Sequence, residues 1–328
     1  MAFVTVLLAA VMIAAGFRYK NPDKFNELAI RFLCPEMDAK MPFYPDYIFH
    51  PEKYKKGDLQ LYTPFPYEPE EWQDIYRLDE NGVVQVYREK EKTHFYNVVT
   101  IAQLAIASFK KYIDTKDPAY KKAFLDNNNY LKKNYTKVGE DEIAYPYEFA
   151  HGRLKPGWHS AMAQGQVISA LALEYKLTGD PAILAHIKKV KKFMFRPVKQ
   201  GGTFMTTPEG GSWFAEYAIL PGDYVLNGAV FAVLGLYDYL SVIPDDEQVL
   251  KALPEIMSSL KASIPYYDTG RWLRYDRMDG APVDYRYMEF QTLQMYQLYE
   301  VTGDPYYLDI YRKWKEYYRI CIVDQHLK

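Results

Sequence analysis

Cysteine is almost absent from these 328 residues: Cys34 and Cys321 are the only two. A pair so far apart sets no disulfide framework and no metal site, although it permits one bond between the chain ends. The six histidines (50, 94, 151, 159, 186 and 326) show no HExxH or other ligand spacing, so a transition metal held by the protein is not expected. An excess of one charge sign is missing as well. Forty Lys and Arg against 42 Asp and Glu leave a net charge of −2 without a basic run, which gives nucleic acid no footing. There is no G-x-S-x-G elbow, P-loop or G-x-G-x-x-G fingerprint, so hydrolase, nucleotide and dinucleotide readings lose their usual support. The one long apolar run, residues 3–16 (FVTVLLAAVMIAAG), is short for a membrane span and closer to the apolar part of an export signal. Residues 1–19 are therefore read as a signal-like or membrane-anchoring segment, which makes export or membrane attachment the expectation.

Tyrosine, by contrast, is abundant: there are 32 among 328 residues. A phenol has an apolar body and a polar tip. Grooves rich in it suit sugars, because rings stack on pyranose faces while hydroxyls bond to theirs. Plain core and rim packing is the competing explanation for any single Tyr.

A phrase recurs along the chain: Tyr112-IDTKDP, Tyr175-KLTGDP, Tyr239-LSVIPD and Tyr299-EVTGDP, spaced 63, 64 and 60 residues apart. Thr-Gly-Asp-Pro stops one helix at a Gly and starts the next with an Asp cap and a Pro in its first turn. An apolar helical pattern precedes each phrase and an amphipathic one follows it. Four helical hairpins with buried inner and wet outer helices imply an all-α (α/α)4 toroid over 94–328, with an open solenoid as the alternative. Residues 20–93 read as a separate arm. Asn81-Gly82 marks a β-hairpin there, and the Pro- and Tyr-rich stretches before it suggest an extended strap.

Turns within the hairpins are short, so the long connections 135–157, 195–222 and 264–284 share one rim. Two groups on that rim carry chemistry. The first is Glu216-Tyr217 beside Trp213. The second is the run Arg271-Trp272-Leu273-Arg274-Tyr275-Asp276-Arg277, continuing to Tyr285-Arg286-Tyr287. Arg interleaved with rings suits a bidentate carboxylate clamp beside stacking platforms; a solvated hairpin with Arg on its neighbours' rings is the other explanation. Together the groups suit removal of the proton next to a carboxylate, as at C5 of a uronic acid. Return of a proton on the opposite face is epimerisation, and loss of the C4 group instead is a lyase reaction. A ring that only binds glycans is the third possibility.

GWHSAMAQGQVISAL (157–171) is very similar to the signature of the D-glucuronyl C5-epimerases. SWFAEYAILPGDYVLNGAVFAVLGLYDYL, YYDTGRWLRYD and FYNVVTIAQLAIASF also resemble that family's segments, in the same order, over about 94–315. The resemblance implies a helical toroid that turns D-glucuronate into L-iduronate within heparosan-type chains. It implies no organic cofactor and leaves a structural divalent cation open. It places catalytic roles on Glu216, Tyr217, Tyr275 and Tyr285, with Glu216 and Tyr285 as the two-faced acid/base pair. Substrate-binding roles fall on Arg274, Arg277, Arg286, Trp158, Gln164, Trp213 and Asn227. The implied partner is an anionic uronate polysaccharide, and the family habit together with the aromatic arm implies a homodimer. The sequence departs from the family's pattern at three places: His159 after Gly-Trp, Arg286 after Asp-Tyr, and Met278, which stands three residues after Tyr275 where the family has Arg.

Overall fold

The structure, a computed structural model, describes residues 50–51 and 75–323. The apolar segment 1–19, most of the arm before residue 75 and Cys34 lie outside the described residues. Cys321 is disulfide-bonded. No helix among the described residues is long and apolar enough to cross a membrane.

Among the described residues, eight α-helices follow one another as four hairpins. They are α1 (Val98–Thr115) with α2 (Pro118–Lys133), α3 (Ala161–Thr178) with α4 (Pro181–Met194), α5 (Leu226–Leu240) with α6 (Glu247–Tyr267), and α7 (Tyr285–Thr302) with α8 (Pro305–Tyr318). The repeated phrase does what its chemistry requires. Asp117, Asp180 and Asp304 cap α2, α4 and α8 through their carboxylates, each ahead of a Pro in the first turn. Gly179 and Gly303 close α3 and α7 at φ 70° and 69°, a backbone state that costs glycine nothing; Lys116 takes the same position after α1 at φ 60°.

The odd-numbered helices form the inner layer and pack in the order α1, α3, α5, α7, each with its even-numbered partner outside. The inner helices α3 and α5 are buried almost all round, which is why they are apolar and unpatterned; the outer helices α4 and α8 bury one stripe. Crossing of α3 and α5 depends on two glycines. A Cβ on Gly165 would lie 2.7 Å from the Cα of Ala232, and one on Gly235 would lie 2.7 Å from the carbonyl carbon of Gly165. The fold is thus the (α/α)4 toroid of helical hairpins.

The arm's described part is a three-stranded antiparallel sheet, β1 (Tyr76–Leu78), β2 (Val84–Arg88) and β3 (Thr93–Phe95). Its first turn holds Gly82 at φ 77°, and the Asp79 carboxylate accepts the N–H groups of Asn81 and Val83. The sheet lies on the first hairpin, where Asn127 of α2 accepts the Val84 N–H and donates to the Gly82 carbonyl. The third strand was not expected.

Two further differences concern the rim. The connection expected as loop at 195–222 contains a hairpin of β6 (Phe204–Thr206) and β7 (Ser212–Phe214), and 135–157 contains one of β4 (Thr136–Gly139) and β5 (Glu142–Ala144). Helix α6 also runs on through Pro265, past the loop start expected at 264. Pro265 cannot donate to the Lys261 carbonyl, but the Tyr306 hydroxyl donates to that oxygen at 3.5 Å and takes the missing partner's place.

Candidate active site

Among the described residues, seven of the eight α-helices begin with a side-chain cap; α5 is the exception. Its N-cap is Val225, which offers no oxygen to the open first turn. By comparison, Asn97, Ser160, Asp246 and Asp284 cap α1, α3, α6 and α7. Glu216, just beyond the strand β7, brings its side chain against this open first turn. Its Oε2 lies against Gly228, in the first turn of α5, and Gly228 must be glycine because a Cβ there would run into Glu216 Oε2 and Cβ. The carboxyl is buried. Removal from water raises its pKa from 4.5 to about 7, against the opposing pull of the Tyr217 and Tyr275 hydroxyls and the Gly228 N–H.

The phenols beside it form a directed chain. The Tyr275 hydroxyl donates to Glu216 Oε1 at 3.2 Å and lies 2.8 Å from the Tyr217 hydroxyl. One hydroxyl has one proton, so with Glu216 ionised Tyr217 donates to Tyr275 and Tyr275 donates to Glu216. A proton placed on Oε1 reverses both bonds. The arrangement is therefore a short proton relay ending on a carboxyl whose pKa lies near neutrality. Burial first, and then the Glu216 charge, push the pKa of both phenols far above 10.

Two more tyrosines, which the sequence reading did not assign, complete the cluster. The Tyr287 ring meets Tyr275 edge-on at 5.0 Å. Its pKa rises only to about 12, because burial and the Glu216 charge are countered by the Tyr275 hydroxyl and the nearby Arg286 cation. Tyr147 is buried and stacks face to face on Trp158 at 4.1 Å. On the open side, His151 stacks on Tyr217 at 4.9 Å, and burial first, then the Arg88 charge, lower the pKa of its imidazole. The only sequence signal for Tyr287 was its position two residues after Tyr285 in the first turn of an inner helix. His151 gave none, since it stands alone in its turn.

The remaining assigned residues divide by position. Tyr285 makes no hydrogen bond to Glu216; its hydroxyl accepts from Arg286 Nε at 2.9 Å. Arg274 points to the Tyr266 carbonyl at 3.0 Å, and Arg277 is paired with Glu209, so neither extends to Glu216. Gln164, Trp213 and Asn227 are enclosed rather than open to a ligand. Gln164 bonds the Tyr145 backbone at both ends of its amide, and the Asn227 carbonyl accepts from Gln294. Trp158 has one ring face covered by Tyr147 and its N–H bound to the Phe149 carbonyl. No cluster of three or more His, Cys, Asp or Glu able to hold a metal occurs among the described residues.

Helical hairpins around a rim of rings, with a buried carboxyl bonded to a phenol, define the class as an (α/α) toroid with a candidate acid/base site. The D-glucuronyl C5-epimerase C-terminus family model matches residues 136–316, more than half the chain, and the protein belongs to that family of sugar epimerases. An uncharacterized protein of Methanocaldococcus jannaschii is 32% identical over 226 residues, 63% of this chain and 73% of that one. A D-glucuronyl C5-epimerase of Caenorhabditis elegans is 30% identical over 210 residues, 59% of this chain and 34% of its own, so this chain spans about a third of the worm enzyme. Among solved structures, an alpha-mannanase of Bacteroides thetaiotaomicron superposes with a TM-score of 0.53 at 11% identity, over 77% of this chain and 65% of that one. That likeness is one of fold.

Proposed function

We propose that the protein is a polysaccharide uronate C5-epimerase, converting D-glucuronate to L-iduronate in a heparosan-like chain. The observation that carries this reading is Glu216: a buried carboxyl, raised to about 7 and bonded into a phenol relay, in a member of a sugar-epimerase family.

Ionised Glu216 takes the proton from C5. The electron pair of the broken C–H bond moves into the sugar's own carboxylate, whose added charge needs a cation. Arg286 supplies one: its guanidinium donates to the Tyr285 hydroxyl, and its positive charge already reaches Tyr287. Tyr285, whose oxygen accepts the Arg286 N–H, then gives its proton to C5 from the other face. The phenolate left behind stays bonded to Arg286. One C–H bond breaks and one forms, so the composition of the sugar is unchanged. Glu216 passes its proton along the Tyr275–Tyr217 relay, which releases one to water, and Tyr285 regains one from water.

Incubation with heparosan in deuterated water tests the reading. It expects deuterium at C5 and iduronate in the product. Absence of exchange on every uronate polymer refutes it, and an unsaturated, ultraviolet-absorbing product would instead show β-elimination.

A further inference from the structure

Arg277 sits apart from the phenol relay, on the connection between α6 and α7, in surroundings that resemble a binding site with its ligand already present. Its guanidinium lies over the Tyr266 ring at 3.9 Å and the Tyr224 ring at 5.5 Å. It makes two hydrogen bonds to one carboxylate, Nη1 to Glu209 Oε2 at 3.1 Å and Nη2 to Oε1 at 2.6 Å. The Tyr266 hydroxyl adds a third at 3.2 Å. Arg277 is nearly covered, its side chain 10% exposed, whereas Glu209 is 50% exposed at the tip of the β6–β7 turn. A carboxylate gripped in this way, with a phenol hydroxyl on it and rings on the cation, has the contacts a sugar carboxylate would make. The Tyr266 ring, itself 46% exposed, gives a pyranose a face to stack on.

We propose that Arg277, Tyr266 and Tyr224 form a second sugar subsite, which binds the carboxylate of a uronate residue further along the polymer, and that Glu209 occupies it until the polymer displaces it. The inference rests on the uronate-polymer reading above and adds to it a place for a sugar that does not react. The backbone favours such an exchange. Arg277 is fixed by its N–H to the Asp223 carbonyl, while Glu209 rides on a turn closed by Gly210 at φ 88°. The Glu209 carboxyl is held down to about 2 chiefly by the hydrogen bonds from Arg277, so it remains an anion, and remains a competitor, across the working pH range.

The test is an equilibrium titration with a heparosan-derived decasaccharide, in a Glu216→Gln background so that nothing turns over. Adding Glu209→Gln should tighten binding about two- to fivefold, as loss of an exposed internal ion pair allows. Arg277→Gln should weaken binding by about tenfold and make the Glu209 substitution silent. With carboxyl-reduced decasaccharide, Glu209→Gln should change nothing. Binding by Glu209→Gln that is unchanged or weaker overturns the subsite, and so does an effect of Glu209→Gln that survives in the Arg277→Gln background. These titrations do not depend on turnover, so a failure of C5 exchange in the wild-type protein would sink the epimerase reading separately.

Discussion

Glu216 and Gly228 occupy one space: a side chain at residue 228 would fall within 2.7 Å of the Glu216 Cγ. The glycine lets a carboxyl from just beyond the strand β7 lie against a helix end that lacks its own cap, and α5 is the helix that starts without one. Gly228→Ala tests this. Alanine favours a helix interior by roughly 0.5–1 kcal/mol, but overlap of this kind costs about 1–3 kcal/mol. We expect a net loss of about 1 kcal/mol or more in denaturant unfolding, with a fall in turnover of about 10²-fold from the displaced carboxyl. A variant more stable than wild type would show that Glu216 does not need the space.

Protonation of Glu216 should set stability and activity against each other. Its pKa in the folded protein, about 7, lies above the unfolded 4.5, so the folded state holds the proton more tightly. The stability this contributes is whole below pH 4.5 and is lost as pH rises through 7; the full difference is about 3 kcal/mol as an upper figure. Glu216→Gln stays neutral throughout. Its melting temperature should match the wild type near pH 4 and exceed it at pH 8, and a difference that does not vary with pH contradicts the argument. Turnover runs the other way. A base must be ionised, so kcat/KM should rise toward a plateau above about pH 7.

Tyr275→Phe removes the hydroxyl that bonds Glu216 Oε1 and receives Tyr217. That hydroxyl lowers the Glu216 pKa, so its loss should move the rising limb of the pH–rate profile to higher pH and cut turnover about 10²-fold. A profile that keeps its midpoint would mean the relay does not act on the carboxyl.

The fold was legible because its punctuation is local. A Gly or its stand-in, an Asp and a Pro at three of the four hairpin turns are short-range signals, and the buried inner helices α3 and α5 differ from the striped outer ones in composition alone. Glu216, Tyr217 and Tyr275 were legible through their motifs. Tyr147, Tyr287 and His151 were not, because Tyr147 and His151 come from the 135–157 connection and Tyr287 from the first turn of α7, segments that meet the Glu216 relay only in the folded ring. Neither was the partner of Arg277: Glu209 lies 68 residues earlier, and no local pattern relates the two. The course of α6 through Pro265 was hidden for a similar reason, since the Tyr306 hydroxyl that compensates comes from another hairpin.

The central claim is that Glu216 and Tyr285 act on opposite faces of one sugar carbon, and Tyr285→Phe in deuterated water tests it most directly. Glu216 would still take the C5 proton of glucuronate and return deuterium to the same face, so the account predicts deuterated glucuronate with no iduronate. Deuterated iduronate formed by Tyr285→Phe at the wild-type rate would contradict it.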